Sequence, residues 1–393
     1  MTAFCGAVVV LSGLLIVYVL AGYPLLLGWI ARRKAVPVRK DSRLRSVSFV
    51  VAVHNGEKFV ADKLQSILEL NYPRELMEIL VVSDGSTDRT EQIVETFRQD
   101  GVKLLRLPRG GKPAALNAAI PLARNEILVL TDVRQTLDSD SVRNLIGCFG
   151  DPSVGVVSGE LSIRKGDRPD EADTGLYWRY EVWIRKQMSR IDSTWGANGP
   201  FYAMRRALAV PIPPETLLDD VYLPLAAFFA GYRLILEDSA KAFDYPTSLQ
   251  SEFRRKVRTQ AGLYQILRQY PKLLASQNRM RVHFLSAKFG RQLIPFALVA
   301  IAVSSFGLPG LWRSLALIFQ AVFYLLAALD GLLPRSFPLK RVSSHIHTFV
   351  VLMVTPILAL KVFFVPARSL WKETLVGSAS KASPQEKTPL APQ

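Results

Sequence analysis

The chain is poor in cysteine, poor in acidic residues, and carries no charged side chain before Arg32. Its two cysteines, Cys5 and Cys148, are far apart and show no metal-ligand spacing, which excludes a disulfide framework and a cysteine zinc site. The uncharged start is not featureless, because Ala7 to Ile30 is almost continuously apolar. That length suffices to cross a bilayer at about 20 residues per span. The charges follow the apolar run instead of preceding it, and no small-residue cleavage site stands before them. Both facts argue against a removed signal peptide, so 1–31 is read as an uncleaved transmembrane anchor.

Lys and Arg number 49 against 33 Asp and Glu, a formal net charge of +16. The excess is not spread along the chain. Arg32, Arg33, Lys34, Arg39, Lys40, Arg43 and Arg45 follow the anchor directly, and short basic flanks stay on the cytoplasmic side. Clustering beside apolar runs fits attraction to anionic lipid headgroups and argues against a nucleic-acid partner. The next domain is therefore expected in the cytoplasm.

From Ser46 onward, short β-branched runs alternate with amphipathic stretches. Strands are expected at 47–53, 78–82, 102–106, 127–130, 153–163 and 233–237, with helices at about 57–70, 88–99, 114–123, 172–191, 221–230 and 253–267. Repeated strand–helix units predict a doubly wound, mostly parallel α/β sheet with right-handed crossovers. In such sheets ligands bind above the carboxyl ends of the strands. Asp84 and Asp88 in Asp-Gly-Ser-Thr-Asp, and Asp132 in Thr-Asp, stand at those ends. The first motif also makes a good turn and helix cap. Trp195 to Pro200 must be loop, since two glycines and a proline cannot continue a helix cheaply. The aromatic residues Tyr177, Trp178, Tyr180 and Trp183 suit a packed helix face as well as a binding platform.

Asp84-Gly85-Ser86-Thr87-Asp88, Gly111-Lys112-Pro113-Ala114-Ala115-Leu116-Asn117, Thr131-Asp132, Asp219-Asp220 and Arg255-x-x-Arg258 occur in this order. In that order, over about 46–265, the chain resembles the membrane-embedded family 2 glycosyltransferases, which include cellulose, chitin, hyaluronan and poly-N-acetylglucosamine synthases. The resemblance implies the A-type glycosyltransferase fold and a nucleotide-diphosphate sugar donor, expected to be a UDP-sugar. It implies donor binding by Asp84, Asp88, Lys112, Arg255 and Arg258, and Mn²⁺ or Mg²⁺ held at Asp132. Asp220 would be the base, with Asp219 in the position of the family's Glu, while Trp183, Asn198 and Gly199 would face the acceptor. The expected product is a polysaccharide or glycan, with single transfer to a polyprenyl phosphate or other lipid, or a non-catalytic subunit, as rivals; export partner proteins would go with the first.

Two departures bear on that reading. The family's metal motif is often Asp-x-Asp, but its second carboxylate is here Arg134, so diphosphate oxygens and water would have to complete the shell. The Trp that stacks on an acceptor in polymerising members is replaced by Thr259. His54, where the family often has Tyr, is given no role.

Toward the C-terminus, apolar runs recur at about 292–308, 315–333 and 349–365. The domain scheme is an anchor at 1–31, a cytoplasmic glycosyltransferase domain at 46–270, two to three membrane helices within 285–370, and a disordered tail at 378–393. Three crossings would leave the basic tail (Arg368, Lys372, Lys381, Lys387) outside, in conflict with the positive-inside tendency.

Overall fold

The computed structural model describes residues 1–163, 175–245, 249–334 and 337–370. The expected tail at 378–393, Lys372, Lys381, Lys387 and the expected start of a helix at 172 lie outside these. Helix α1, Thr2–Arg33, is continuous through one wider turn at Tyr18–Gly22. An extended strap then leads into β1 (Val47–Val53), whose seven residues include six fully buried ones, as a strand covered on both faces requires.

The first half of the domain alternates as its apolar runs dictate. It runs α2 (Val60–Leu68), β2 (Met77–Asp84), α3 (Thr90–Thr96), β3 (Val102–Leu107), α4 (Lys112–Ala119) and β4 (Ile127–Thr131). The second half contains elements that the sequence pattern did not disclose: β5 (Thr136–Leu137), α5 (Ser141–Gly147) and, after β6 (Val154–Ile163) and α6 (Gly175–Ile191), the strand β7 (Phe201–Arg205). It closes with α7 (Asp219–Phe229), β8 (Arg233–Asp244) and α8 (Leu249–Gln269).

The eight strands form one sheet in the order β3-β2-β1-β4-β7-β6-β8-β5. β3, β2, β1 and β4 are mutually parallel, and β6 pairs with β8 in parallel, whereas β7 is antiparallel to both β4 and β6. The expectation of a mostly parallel sheet holds, with β7 reversed at its centre and the two-residue β5 reversed at its edge against β8. That reversal brings the loop entering β7 to the same rim as the carboxyl end of β4, since Thr131 pairs with Phe201.

Three helices follow: α9 (Arg281–Ser305), α10 (Gly310–Leu329) and α11 (Lys340–Ala359). With α1 they make, among the described residues, four helices long and apolar enough to cross a membrane. Much of their apolar surface faces outward, as at Phe319, Val322 and Leu325, which a lipid-facing helix tolerates and a water-facing one does not.

Candidate active site

Two loops meet at the end of β2. The Asp84 carboxylate, 3% exposed, accepts backbone N–H bonds from Gly110 at 2.6 Å and Gly111 at 3.0 Å, and pairs with Arg109. Gly85 has φ +62°, and a Cβ there would lie 2.7 Å from the Arg109 nitrogen, so only glycine allows the two loops to close this tightly. The expected nucleoside contact is thus, in the structure, the clasp of the basic glycine loop. Asp88 serves a different end: its oxygens accept from the backbone N–H groups of Thr90 and Glu57, both at 3.0 Å. It caps the approach to α3 and ties in the loop after β1.

The chemistry converges on Lys112. Its ammonium donates to Asp132 at 2.8 Å and stands 3.1 Å from Asp219 Oδ2, an angle that makes an ion pair and no hydrogen bond. Burial alone would lower the Lys112 pKa, but Asp132, Asp219 and Asp220 together raise it and hold it charged. Lys112 opens α4 and Asp219 opens α7, so two helix N-termini point their partial positive charge at one place. Asp220 is pushed up to about 7, first by burial, then by the Asp219 charge, with Lys112 opposing. A carboxyl poised there is suited to accept a proton near neutral pH. Arg258, half-buried on α8, acts electrostatically on Asp132, Asp220 and Asp219. Arg255 is turned aside instead, forming a two-pronged pair with Glu252 at 2.9 and 2.7 Å.

The loop before β7 forms the wall beside Asp220. A Cβ at Gly199 would lie 2.8 Å from Asp220 Oδ2, so the absent side chain is what lets the loop reach the carboxyl. Asn198 was expected to face an acceptor, but it is turned inward: its Nδ2 donates to Gly159 O at 2.5 Å, its N–H to Ser158 Oγ at 2.9 Å, and its Oδ1 accepts from Arg185. The Trp183 ring packs toward α1 and lies 3.2 Å from where a Cβ of Gly28 would stand. Sequence reasoning missed Arg185, which binds Gly196 O at 3.2 Å and Ser158 Oγ at 3.1 Å and so fixes this wall. It also missed the fully buried Tyr202, which senses all three aspartates. Arg185, one of several charged residues on α6, and Tyr202, in a short apolar strand, gave no spacing signal.

Among the described residues no three His, Cys, Asp or Glu side chains form a metal cage. Arg134, in the place of a second carboxylate, is tied to Asp244 at 2.6 Å. Asp132, with its side chain 37% exposed, is left as the carboxylate of this motif at the end of β4. That donor set fits a divalent cation held mainly by a diphosphate and water, and does not fit a cation held by protein alone.

Residues 48–210 match the glycosyl transferase family 2 model. A poly-beta-1,6-N-acetyl-D-glucosamine synthase of Staphylococcus epidermidis is 34% identical over 236 residues, covering 58% of this chain and 57% of that protein. The Staphylococcus aureus (strain COL) synthase of the same name is 24% identical over 232 residues, covering 57% and 56%. The chain thus spans little more than half the length of these curated relatives. In structure it is similar to a mannosyltransferase from Pyrobaculum calidifontis solved with GDP-Man and Mn²⁺, with TM-score 0.71 and 22% identity over 91% of this chain and 99% of that one. The A-type glycosyltransferase fold is shared.

Proposed function

We propose that the chain transfers a sugar from a nucleotide-diphosphate sugar to a glycan acceptor at a membrane surface, with inversion and with Asp220 as base. The observation that carries this is the convergence of Asp220, Lys112, Asp132 and Arg258 on one rim of the sheet. The acceptor hydroxyl attacks the anomeric carbon, its proton passes to an Asp220 oxygen, and the bond from that carbon to the diphosphate oxygen breaks. Lys112, released from its carboxylates, and Arg258 take up the charge on the leaving diphosphate. A divalent cation at Asp132 would neutralise further charge there. Asp219, held at the helix start, keeps Lys112 in reach and raises the basicity of its neighbour.

The relatives named poly-N-acetylglucosamine synthases favour a UDP-sugar donor, and the mannosyltransferase neighbour makes GDP-mannose the alternative to test. Thr259, back-bonded to Arg255 O at 2.9 Å, offers no ring for an acceptor sugar, which favours short or single transfer, including to a lipid-borne acceptor. Purified protein with radiolabelled UDP-N-acetylglucosamine or GDP-mannose and membrane lipid extract should release nucleotide and yield labelled product. Turnover should be lost in excess chelator. Failure with both donors would sink the transferase reading; full turnover in chelator would sink the metal.

We infer further that the helices return the chain to the catalytic side. α1 and α9 run antiparallel, with Tyr18 Oη 2.7 Å from Ser286 Oγ near the domain and Gly307 against Cys5 at the far end. α11 ends back on the domain: Tyr264 bonds Pro356 O at 3.2 Å and meets the Phe363 ring, and Ala367 and Leu370 pack into the core with Leu217 and Ile184. The α10–α11 pair then amounts to one net crossing, and the conflict with the positive-inside tendency disappears. In a cysteine-free background, Phe306→Cys should react with an impermeant maleimide from outside intact cells and Ser369→Cys only after permeabilisation. Outside labelling of Ser369→Cys would restore three crossings.

A further inference from the structure

Lys63 belongs to no motif of the sequence, yet its side chain on α2 is fully buried beneath the sheet. Its Nζ donates to Thr131 Oγ1 at 2.6 Å and to Gln135 O at 2.7 Å. These two acceptors are the ends of the turn that carries Asp132, so one ammonium closes that turn at both ends. The contact continues upward. Thr131 Oγ1 donates to Pro200 O at 2.7 Å, and the Asp132 N–H reaches the same carbonyl at 3.3 Å. Pro200 follows Gly199, which lies against the Asp220 carboxyl.

Among the described residues no carboxylate forms an ion pair with Lys63; the charge acting on it is that of Asp132, across the turn. Burying an amine against two neutral oxygens is unfavourable, and burial pushes the Lys63 pKa down to about 7, whereas an apolar side chain of the same length would pack there without that penalty. Stability therefore does not account for a lysine at this position, while geometry does. A lysine has the reach and the multiple donors to hold both ends of the turn from below, and Thr131 passes the constraint across the reversed strand pair to the wall of the base.

We propose that Lys63 is a positioning residue for sugar transfer, fixing Asp132 and the Gly199–Pro200 wall of Asp220 in one frame through Thr131. This rests on the transferase reading above. It predicts a loss in turnover larger than any loss in donor affinity, because the clasp of Asp84 with Gly110 and Gly111 at the end of β2 is made without Lys63 or Thr131, with Lys112 linking it to Asp132.

The test uses the full chain with Lys63→Met, Thr131→Val, Thr131→Ser and the Lys63→Met/Thr131→Val double variant, measuring kcat, donor KM and Tm. Misplacing catalytic groups by about an ångström costs up to about a hundredfold, so Lys63→Met should lower kcat by about tenfold or more while donor KM stays within about threefold. Thr131→Val should lower kcat less, Thr131→Ser should restore it, and the double variant should be no slower than Lys63→Met alone, since both break one relay. A purely structural lysine would lower Tm and leave kcat per folded molecule unchanged, and that result overturns the proposal, as do losses that multiply in the double variant. Should Lys63→Met fail to fold, the Val and Ser variants of Thr131 decide: wild-type kcat in Thr131→Val overturns it. Absence of transfer by the unaltered protein would instead remove the reading beneath it.

Discussion

The two halves of the sheet build their share of the site by different means. On the parallel half, β3-β2-β1-β4, function sits where strands stop: Asp84 and Asp132 are each the last residue of a strand or the one after it, so the strands deliver them to the rim, with Lys63 beneath the one turn that carries Asp132. On the mixed half, position depends on buried polar side chains. Gly199 reaches Asp220 because Arg185, Ser158 and Asn198 hold the loop before β7. A strand end tolerates sequence change so long as the strand persists, whereas a loop held by an internal arginine is only as accurate as that arginine. The donor side is therefore expected to be robust and the acceptor side fragile.

The largest expected effect separates the halves most sharply. Asp220→Asn keeps the shape of the α7 start and removes the proton acceptor, and a general base contributes about 10²- to 10⁴-fold. Transfer should fall by about two orders of magnitude or more, with donor binding retained. In the unaltered protein, activity should rise with pH through about 7 and level off above it, because only the ionised Asp220 can act as base. The same shift has a stability consequence of fixed sign. Between about 4, where the unfolded chain releases this proton, and about 7, where the folded one does, the folded state binds more protons, so stability falls as pH rises through that window. Asp220→Asn abolishes the term and should melt no lower than the parent at pH 8. If Asp220→Asn transfers normally and Asp219→Asn is dead, the base is the neighbouring residue.

Much of the first half was legible because its code is local. β1 begins and ends at Val47 and Val53 as its apolar run does, and β4 extends the expected strand by one residue. The second half was less so for a physical reason. β7, Phe-Tyr-Ala-Met-Arg, is buried on both faces, so no alternation marks it, and its direction is set by pairing with β4 and β6, strands distant in sequence. Pro224 lies inside α7, where the sequence pattern nevertheless gave a helix. The aspartates and Arg258 could be named from motif order, but Lys63 beneath the Asp132 turn and Arg185 behind the wall of Asp220 are recognisable only once their partners are in place. Motif order likewise could not distinguish Arg258, which senses the carboxylates, from Arg255, three residues earlier and engaged by Glu252.

Trp183 carries the smallest prediction and bears directly on the comparison, because it sits on the fragile half yet touches the anchor. The residue is 39% exposed and its ring covers Gly28, the position in α1 where a Cβ would press against it at 3.2 Å. If Trp183 were an acceptor platform, Trp183→Ala would raise the acceptor KM severalfold, since stacking on a sugar is lost, and leave thermal stability nearly untouched. The observed packing predicts the reverse. Removing a partly exposed tryptophan from a helix contact should cost about 1 to 2 kcal/mol, below the range for a fully buried one, while acceptor KM and kcat stay within about twofold. A second substitution makes the two outcomes independent of how well the single variant folds. Gly28→Leu in the unaltered chain should destabilise by overpacking against the ring, whereas Gly28→Leu combined with Trp183→Ala should recover part of the loss by refilling the gap. That non-additivity belongs to residues in contact, and a tryptophan serving the acceptor would not show it. A raised acceptor KM in Trp183→Ala, with strictly additive melting temperatures in the pair, would return this residue to the acceptor site.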